Sequence, residues 1–246
     1  MRCLVRLRAI KAQSYDPAYH IKLQGVVYSL LENAGYDRIH NATPFKFVTF
    51  SNVFPPKDMG EGDDRTLIIS SPNESLVNDV REAIESEGVI EPGDRQYEVV
   101  DTVTFDITPE RQGTMITGTP IVVRIPAGRC DEYGIDDKGY DDVYWRLEHN
   151  SGAFIDKLEE NLASKYHEYY DREPPERPYF TGYHPRKQVS VPLKYEDREV
   201  PVIGTTWELD YECESREMHR IIRMAYDAGL GELNTTGFGF MNEVED

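Results

Sequence analysis

The sequence predicts an α+β fold built from two tandem β-α-β-β-α-β sets, the ferredoxin-like (RRM-like) arrangement. Three observations carry this expectation. Strand-type alternation and helix-type periodicity follow one another in the same order twice along the chain. A length of 246 residues is enough for two halves of about 100–120 residues, each with its own core. A polar, turn-prone break near Pro109–Gly113 separates the two sets, so the expected domains are residues 1–110 and 111–246.

In the first set, Arg2–Lys11 alternates charged with apolar side chains and is expected as a strand. Asp16–Ala34 places apolar residues at 19, 23, 26, 27, 30, 31 and 34, which form one face of a helix. Phe45–Phe54 and Arg65–Ser70 are rich in Phe, Val and Ile and are expected as strands, split by the turn-prone Pro55–Asp64. Ser71-Pro72-Asn73-Glu74 opens a helix, with Pro72 at its first position and Ser71 before it, and Gly88 ends it. Tyr97–Phe105, with alternating Val, closes the set. In the second set Thr114–Ile125 is expected as a strand, and Asp141–Tyr170 as largely helical with a break near Ser151-Gly152. The polar, proline-rich Asp171–Pro185 connects to a strand pair, Lys187–Lys194 and Glu199–Cys213. Ser215–Ala228 is a helix and Phe238–Val244 the last strand.

Composition excludes several classes. No run approaches the roughly 18 apolar residues of a membrane helix, and the opening Met1-Arg-Cys-Leu-Val-Arg lacks the unbroken apolar stretch of a signal peptide. Cys3, Cys130 and Cys213 are scattered without C-x-x-C spacing, which points to reduced thiols, small core or surface residues, in a cytoplasmic protein and to no metal site. A net charge of −18 argues against a nucleic-acid ligand when taken alone. Its distribution reverses that reading. Residues 1–57 carry eight Lys/Arg against three acids, a net +5, and the other 189 residues carry −23. The acid-free stretch Arg177–Tyr195 interleaves Arg177, Arg186, Lys187 and Lys194 with Tyr179, Phe180, Tyr183 and Tyr195, a pattern suited to single-stranded RNA as well as to an ordinary solvated strand pair. The general acidity, densest over Asp131–Asp142, is that of a chain working in concentrated salt, where a Debye length of about 3 Å leaves only direct contacts to decide binding.

Three side chains form a candidate catalytic group. Tyr28 projects roughly 140° from the centre of the helix's apolar stripe, so it is expected on the polar face, with Gly25 beside it leaving room for close approach. His40 follows in a loop and Lys46 at the start of the next strand, and a β-α-β unit brings such positions together. RNA can be cut by attack of its own 2′-hydroxyl on the neighbouring phosphate, which needs a base, an acid and a cation. Histidine titrates near working pH. Tyrosine donates a proton, or accepts one when a cation lowers its pKa. Lysine stabilises charge that develops on phosphate. A second feature is Gly229-Leu-Gly-Glu-Leu-Asn-Thr-Thr-Gly237-Phe-Gly239-Phe. Gly229, Gly231, Gly237 and Gly239 permit unusual backbone conformations, and the loop's N–H groups are candidates to cradle phosphate. The same glycines serve equally as a helix C-cap, a turn and a strand bulge.

Taken together, Leu23-Gln-Gly-Val-Val-Tyr28, His40, Phe45-Lys46-Phe-Val-Thr-Phe-Ser51, Gly118-Thr-Pro-Ile-Val-Val123 and Gly229–Phe240 resemble the sixth family of CRISPR-associated proteins, the repeat-RNA endoribonucleases. The motifs run in family order over nearly the whole chain, and the glycine-rich one is the most diagnostic. The resemblance implies cleavage of CRISPR precursor RNA within each repeat, giving a 2′,3′-cyclic phosphate and a 5′-hydroxyl, without metal or cofactor. It places acid–base work on Tyr28 and His40, leaving open which is base and which acid, and transition-state stabilisation on Lys46. It also implies an RNA path across the two domains and admits other subunits of an interference complex and a homodimer as partners; the glycine-rich loop and Arg186 and Lys187 of the basic-aromatic stretch are the candidate RNA contacts. With the acidity, a halophilic archaeal source is expected. His20, His149, His167, His184 and His219 match no catalytic position and are read as structural or surface residues. The rival reading is an RNA-binding subunit that has lost cleavage; only the nuclease needs Tyr28, His40 and Lys46 together.

Overall fold

The computed structural model describes residues 1–16, 19–36, 45–195 and 198–244. Its first half contains β1 (Arg2–Ala9), α1 (His20–Asn33), β2 (Thr49–Phe50), β3 (Asp64–Ser70), α2 (Glu74–Glu87), β4 (Val89–Ile90) and β5 (Tyr97–Phe105). The sheet order is β2-β3-β1-β5-β4, with every neighbouring pair antiparallel. Setting aside the two-residue edge strand β4, the first strand lies between the third and the last, which is the ferredoxin-like order. Alternation along β1 turns Cys3, Val5, Leu7 and Ala9 toward the core. Leu23, Val27, Leu30 and Leu31 of α1 and Leu76, Val77, Val80 and Ile84 of α2 cover them.

The second half repeats the plan. β6 (Gln112–Thr117), α4 (Ser151–Tyr170), β9 (Gly182–Tyr195), β10 (Arg198–Glu212), α5 (Arg216–Ala228) and β11 (Met241–Glu243) form a sheet in the order β11-β6-β10-β9. Between β6 and α4 lies an insertion of β7 (Arg124–Pro126), α3 (Ala127–Tyr133) and β8 (Asp142–Tyr144), in which β7 and β8 pair with each other. The core stacks Phe154 on Trp207 at 4.2 Å between ring centres and places Trp145 against both. The three cysteines are free and buried, and among the described residues no helix is long and apolar enough to cross a membrane.

Several expected elements are corrected. The strand expected over Phe45–Phe54 is a regular strand only at Thr49–Phe50, with an isolated bridge from Phe54 to Thr66; before it, Phe47 takes a φ of 51° and turns the preceding segment out of the sheet. Helix α2 is capped by Asn73, whose side chain accepts from the Leu76 N–H at 3.2 Å, so Pro72 stands outside the helix. The strand expected through Ile125 stops at Thr117, where Gly118 and Thr119 both donate to the Phe240 carbonyl. Residues 142–144 are a strand, and α4 begins only where the Asn150 side chain accepts from the Gly152 N–H. Helix α3 has no counterpart among the expected elements.

The halves are bound by charge. Arg2, fully buried, donates to the Tyr226 carbonyl at 2.9 Å and the Met241 carbonyl at 2.5 Å, and its guanidinium lies over the Phe240 ring. Burial pulls its pKa down to about 10, still well above neutrality. Beside it, Arg223 of α5 donates to Asp106 at 2.8 Å, and the Met1 amine donates to Asp227 at 2.9 Å.

Candidate active site

Tyr28 lies midway along α1, and Lys46 lies in the turned-out segment three residues before β2. They meet: the Lys46 Nζ donates to the Tyr28 hydroxyl at 2.8 Å and stands 5.1 Å from the centre of its ring. Tyr28 is less outward than the helical periodicity suggests. It is half-buried, and its ring packs at the margin of the first core. Such packing fixes the ring while leaving the hydroxyl at the cation. Gly25 is exposed, and a Cβ there would meet nothing within 4 Å, as expected for an open face. His40 lies outside the described residues. Lys46 also follows a local rule: Phe47 at positive φ reverses the chain direction just after it, which directs residues 45–47 toward the second half rather than along the sheet.

There the segment borders a cavity of about 600 Å³ between the two halves, lined from the second half by residues of α4 and of the glycine-rich loop. Most of the cations around it are already engaged. Arg124 donates to Glu232 at 2.7 Å and to Asp142 at 3.1 Å, and Lys157 donates to Glu160 at 2.8 Å. Lys165 is buried and donates to the Gly229 carbonyl at 2.8 Å, the Gly231 carbonyl at 2.9 Å and the Asn234 Oδ1 at 2.7 Å. Burial pushes its pKa down to about 7, while Glu232 nearby pulls in the opposite direction.

The glycine-rich loop is folded inward. Gly229, Gly231, Gly237 and Gly239 are all buried. Gly237 donates its N–H to Asn234 and Gly239 its N–H to Pro120, and Leu230 and Phe240 are likewise engaged. A phosphate cradle made from the Gly237 and Gly239 amides is therefore corrected: those donors are spent inside the protein. The glycines answer a steric demand instead. At Gly239, with φ of 69°, a Cβ would run into the Leu230 carbonyl. The loop's outer side meets α1, where Gln24 Nε2 donates to Thr236 Oγ1 at 3.3 Å and His20 stacks on Phe238 at 5.5 Å. His20 is buried, with Nδ1 unpartnered, and desolvation lowers its pKa to about 4, so it is a neutral packing residue. Arg186 and Lys187 are exposed on β9 and do not line the cavity; Arg186 pairs with Glu208. Among the described residues no group of three or more His, Cys, Asp or Glu is placed to hold a metal ion.

Lys165 and Asn234 carry no expected role from sequence. The usable signal for Lys165 was its position: it falls on the buried stripe of α4 with Leu158, Leu162 and Tyr166, where a lone lysine requires a partner.

Comparison with known proteins agrees with this architecture. A family profile described as "CRISPR associated protein Cas6, C-terminal" matches residues 105–243. The CRISPR-associated endoribonuclease Cas6 of Haloferax mediterranei is 33% identical, over 100% of this chain and 94% of its own length. CRISPR-associated endoribonuclease Cas6 2 of Methanocaldococcus jannaschii is 31% identical over 100% of both. Among solved structures, one described as CRISPR associated protein Cas6 superposes with a TM-score of 0.75 at 20% identity, covering 100% of this chain and 99% of that one, which shows a shared fold. From the family match and the full-length relatives, the chain belongs to the Cas6 family of CRISPR-associated proteins.

Proposed function

We propose that this chain is an endoribonuclease that cuts CRISPR precursor RNA within its repeats by 2′-hydroxyl attack, using Tyr28, His40 and Lys46. The observation that carries the reading is the 2.8 Å contact of Lys46 with the Tyr28 hydroxyl on the face of α1. Full-length relatives named as endoribonucleases support it. In this reading the 2′-oxygen loses its proton to a base and bonds to phosphorus. The bond from phosphorus to the 5′-oxygen breaks, and that oxygen takes a proton from an acid. The products are a 2′,3′-cyclic phosphate and a 5′-hydroxyl. Tyr28 and His40 divide the two proton transfers between them. The Lys46 ammonium favours negative charge both on the phenol beside it and on the five-coordinate phosphorus.

Residues 1–110 and 111–246 act in this proposal as two domains, supported by two separate ferredoxin-like sheets that share no strand. Arg186 and Lys187, exposed on β9, are proposed to contact the RNA backbone. The glycine-rich loop contributes the shape of the wall beside α1. The test is cleavage of the host's repeat RNA in EDTA. It should proceed, should stop when the nucleotide 5′ to the cut lacks its 2′-hydroxyl, and should slow by about 10²–10⁴-fold in His40→Ala. A requirement for magnesium, or full-rate cleavage by that variant, would overturn the mechanism.

A further inference from the structure

Lys165 is the most deeply buried cation around the cavity, and each N–H of its ammonium has a separate oxygen to meet. Two of those oxygens are main-chain carbonyls of the glycine-rich loop, and the third belongs to Asn234. The Asn234 amide then donates to the Leu230 and Phe238 carbonyls, both at 3.0 Å, across the loop's two limbs. Leu230 and Gly239 close the base of the loop through a 2.9 Å hydrogen bond. Lysine and asparagine thus form a polar hub around which residues 229–239 are wound, with no room for a Cβ at Gly231 or Gly239.

The hub faces the catalytic group from two directions. Through the loop, Thr236 and Phe238 meet Gln24 and His20 of α1, and Gln24 stands one turn before Tyr28 on the same helix. Directly, the Lys165 Nζ lies 6.0 Å from the centre of the Phe45 ring. One turn further along α4, Tyr169 packs edge-on against Phe47 at 5.1 Å. Phe45 and Phe47 are the two chain neighbours of Lys46. Residues 165 and 169, four apart on one helix face, therefore hold both flanks of the Lys46 segment, and residue 165 also holds the loop that abuts α1.

A simple packing role does not account for a lysine here. Burying an ammonium opposes folding unless every donor is matched. The match is made by oxygens of a loop that itself packs on α1 through Gln24 and His20. We propose that Lys165 is a positioning residue of the cleavage site: its ammonium fixes the glycine-rich loop and the Phe45–Phe47 segment, and so sets the separation of Tyr28 and Lys46. This rests on the ribonuclease reading given above.

The test compares Lys165→Met, which keeps the side chain's length without its donors, with the unaltered protein and with His40→Ala. Single-turnover cleavage is measured at saturating repeat RNA, alongside the Kd for the same RNA carrying a 2′-deoxy substitution at the cut. Thermal unfolding shows which variants are folded at the assay temperature. The expected result is a folded K165M whose saturated rate falls by about 10–100-fold, the scale of a sub-ångström to ångström misplacement, while Kd moves less than about 3-fold. Asn234→Ala removes one of the three acceptors and both amide donations across the loop, and leaves the lysine in place. It serves if K165M does not fold, and it should show the same split. Combined with K165M it should add little, since the two act as one unit. A folded variant that cleaves at the unaltered rate, or one whose loss lies wholly in Kd, would overturn the positioning role. Full-rate cleavage by His40→Ala would instead overturn the ribonuclease reading itself, so the two failures are distinct.

Discussion

The Lys46 ammonium donates to the Tyr28 hydroxyl at 2.8 Å across a gap of eighteen residues, joining a helix to a segment turned out of its sheet. The contact pairs the proposed proton-transfer group with a cation at the margin of a packed core, against which the phenol ring rests. Tyr28→Phe retains the ring and its packing, so unfolding should change by less than about 0.5 kcal/mol. Its single-turnover rate on repeat RNA should fall by about 10²–10⁴-fold. Lys46→Ala should lose about 10²–10³-fold for want of transition-state charge. Rates within a factor of two of the unaltered protein for both variants would remove the pair from the chemistry.

Gly239 offers a purely structural test of the inward-folded loop. Its φ of 69° and the Leu230 carbonyl in the path of any Cβ make Gly239→Ala costly, by about 1–3 kcal/mol for the backbone alone and more from the clash. Urea unfolding should show the loss as a lower midpoint at unchanged slope. Gly25→Ala is the contrast. A Cβ there meets open space in a helix, so the midpoint should rise by the equivalent of about 0.5–1 kcal/mol.

His20 sets an acid limit. Its folded pKa of about 4 lies below the ordinary 6.5, so below pH 6.5 the unfolded chain binds the proton and the folded chain does not. The stability linked to this group is complete above pH 6.5 and is lost as pH falls toward 4. Between about pH 7 and pH 5 the loss should be about 2 kcal/mol. In His20→Phe, which keeps a ring against Phe238, the unfolding free energy should be flatter over that interval. Parallel pH profiles for the two proteins would show that His20 does not titrate in this way.

The charge of −18 leads to a salt prediction. Raising salt from about 0.1 M to about 1 M shortens the screening length from about 10 Å to about 3 Å. The unfolding temperature should therefore rise with salt as repulsion among the acids is relieved. Equal melting curves at the two concentrations would rule out an adaptation to salt.

The order of elements was legible because both periodicities are undisturbed in most of the chain: β1 alternates, and α1 and α5 carry clean stripes. The failures have local causes. Phe45–Phe54 reads as a strand by composition, and nothing in Phe47 as a residue type announces a positive φ. Residues 142–150 hold helix formers, but Asn150 withholds the helix until Ser151 by offering its own cap. At the site, Tyr28 and Lys46 were legible as side chains with a chemical use, and the structure pairs them. The glycine-rich loop was visible as glycines, yet its spent amides depend on carbonyls at Pro120 and Asn234, the one far from the motif and the other internal to it. Lys165 shows the commonest gap: a residue's partners are set by tertiary packing, which spacing alone does not encode.

Arg2 ties the start of the first sheet to the main chain of the second half with a group that stays charged at any physiological pH, and on α1 Gln24 and His20 meet Thr236 and Phe238 of the glycine-rich loop. Contacts at separate places along the seam resist movement of one half against the other. In the proposed ribonuclease the opening above the cavity then keeps its width, and the mechanical work of entry, unstacking and bending, falls on the RNA strand. On that reading, selectivity among RNAs is in part a matter of which sequences deform most readily.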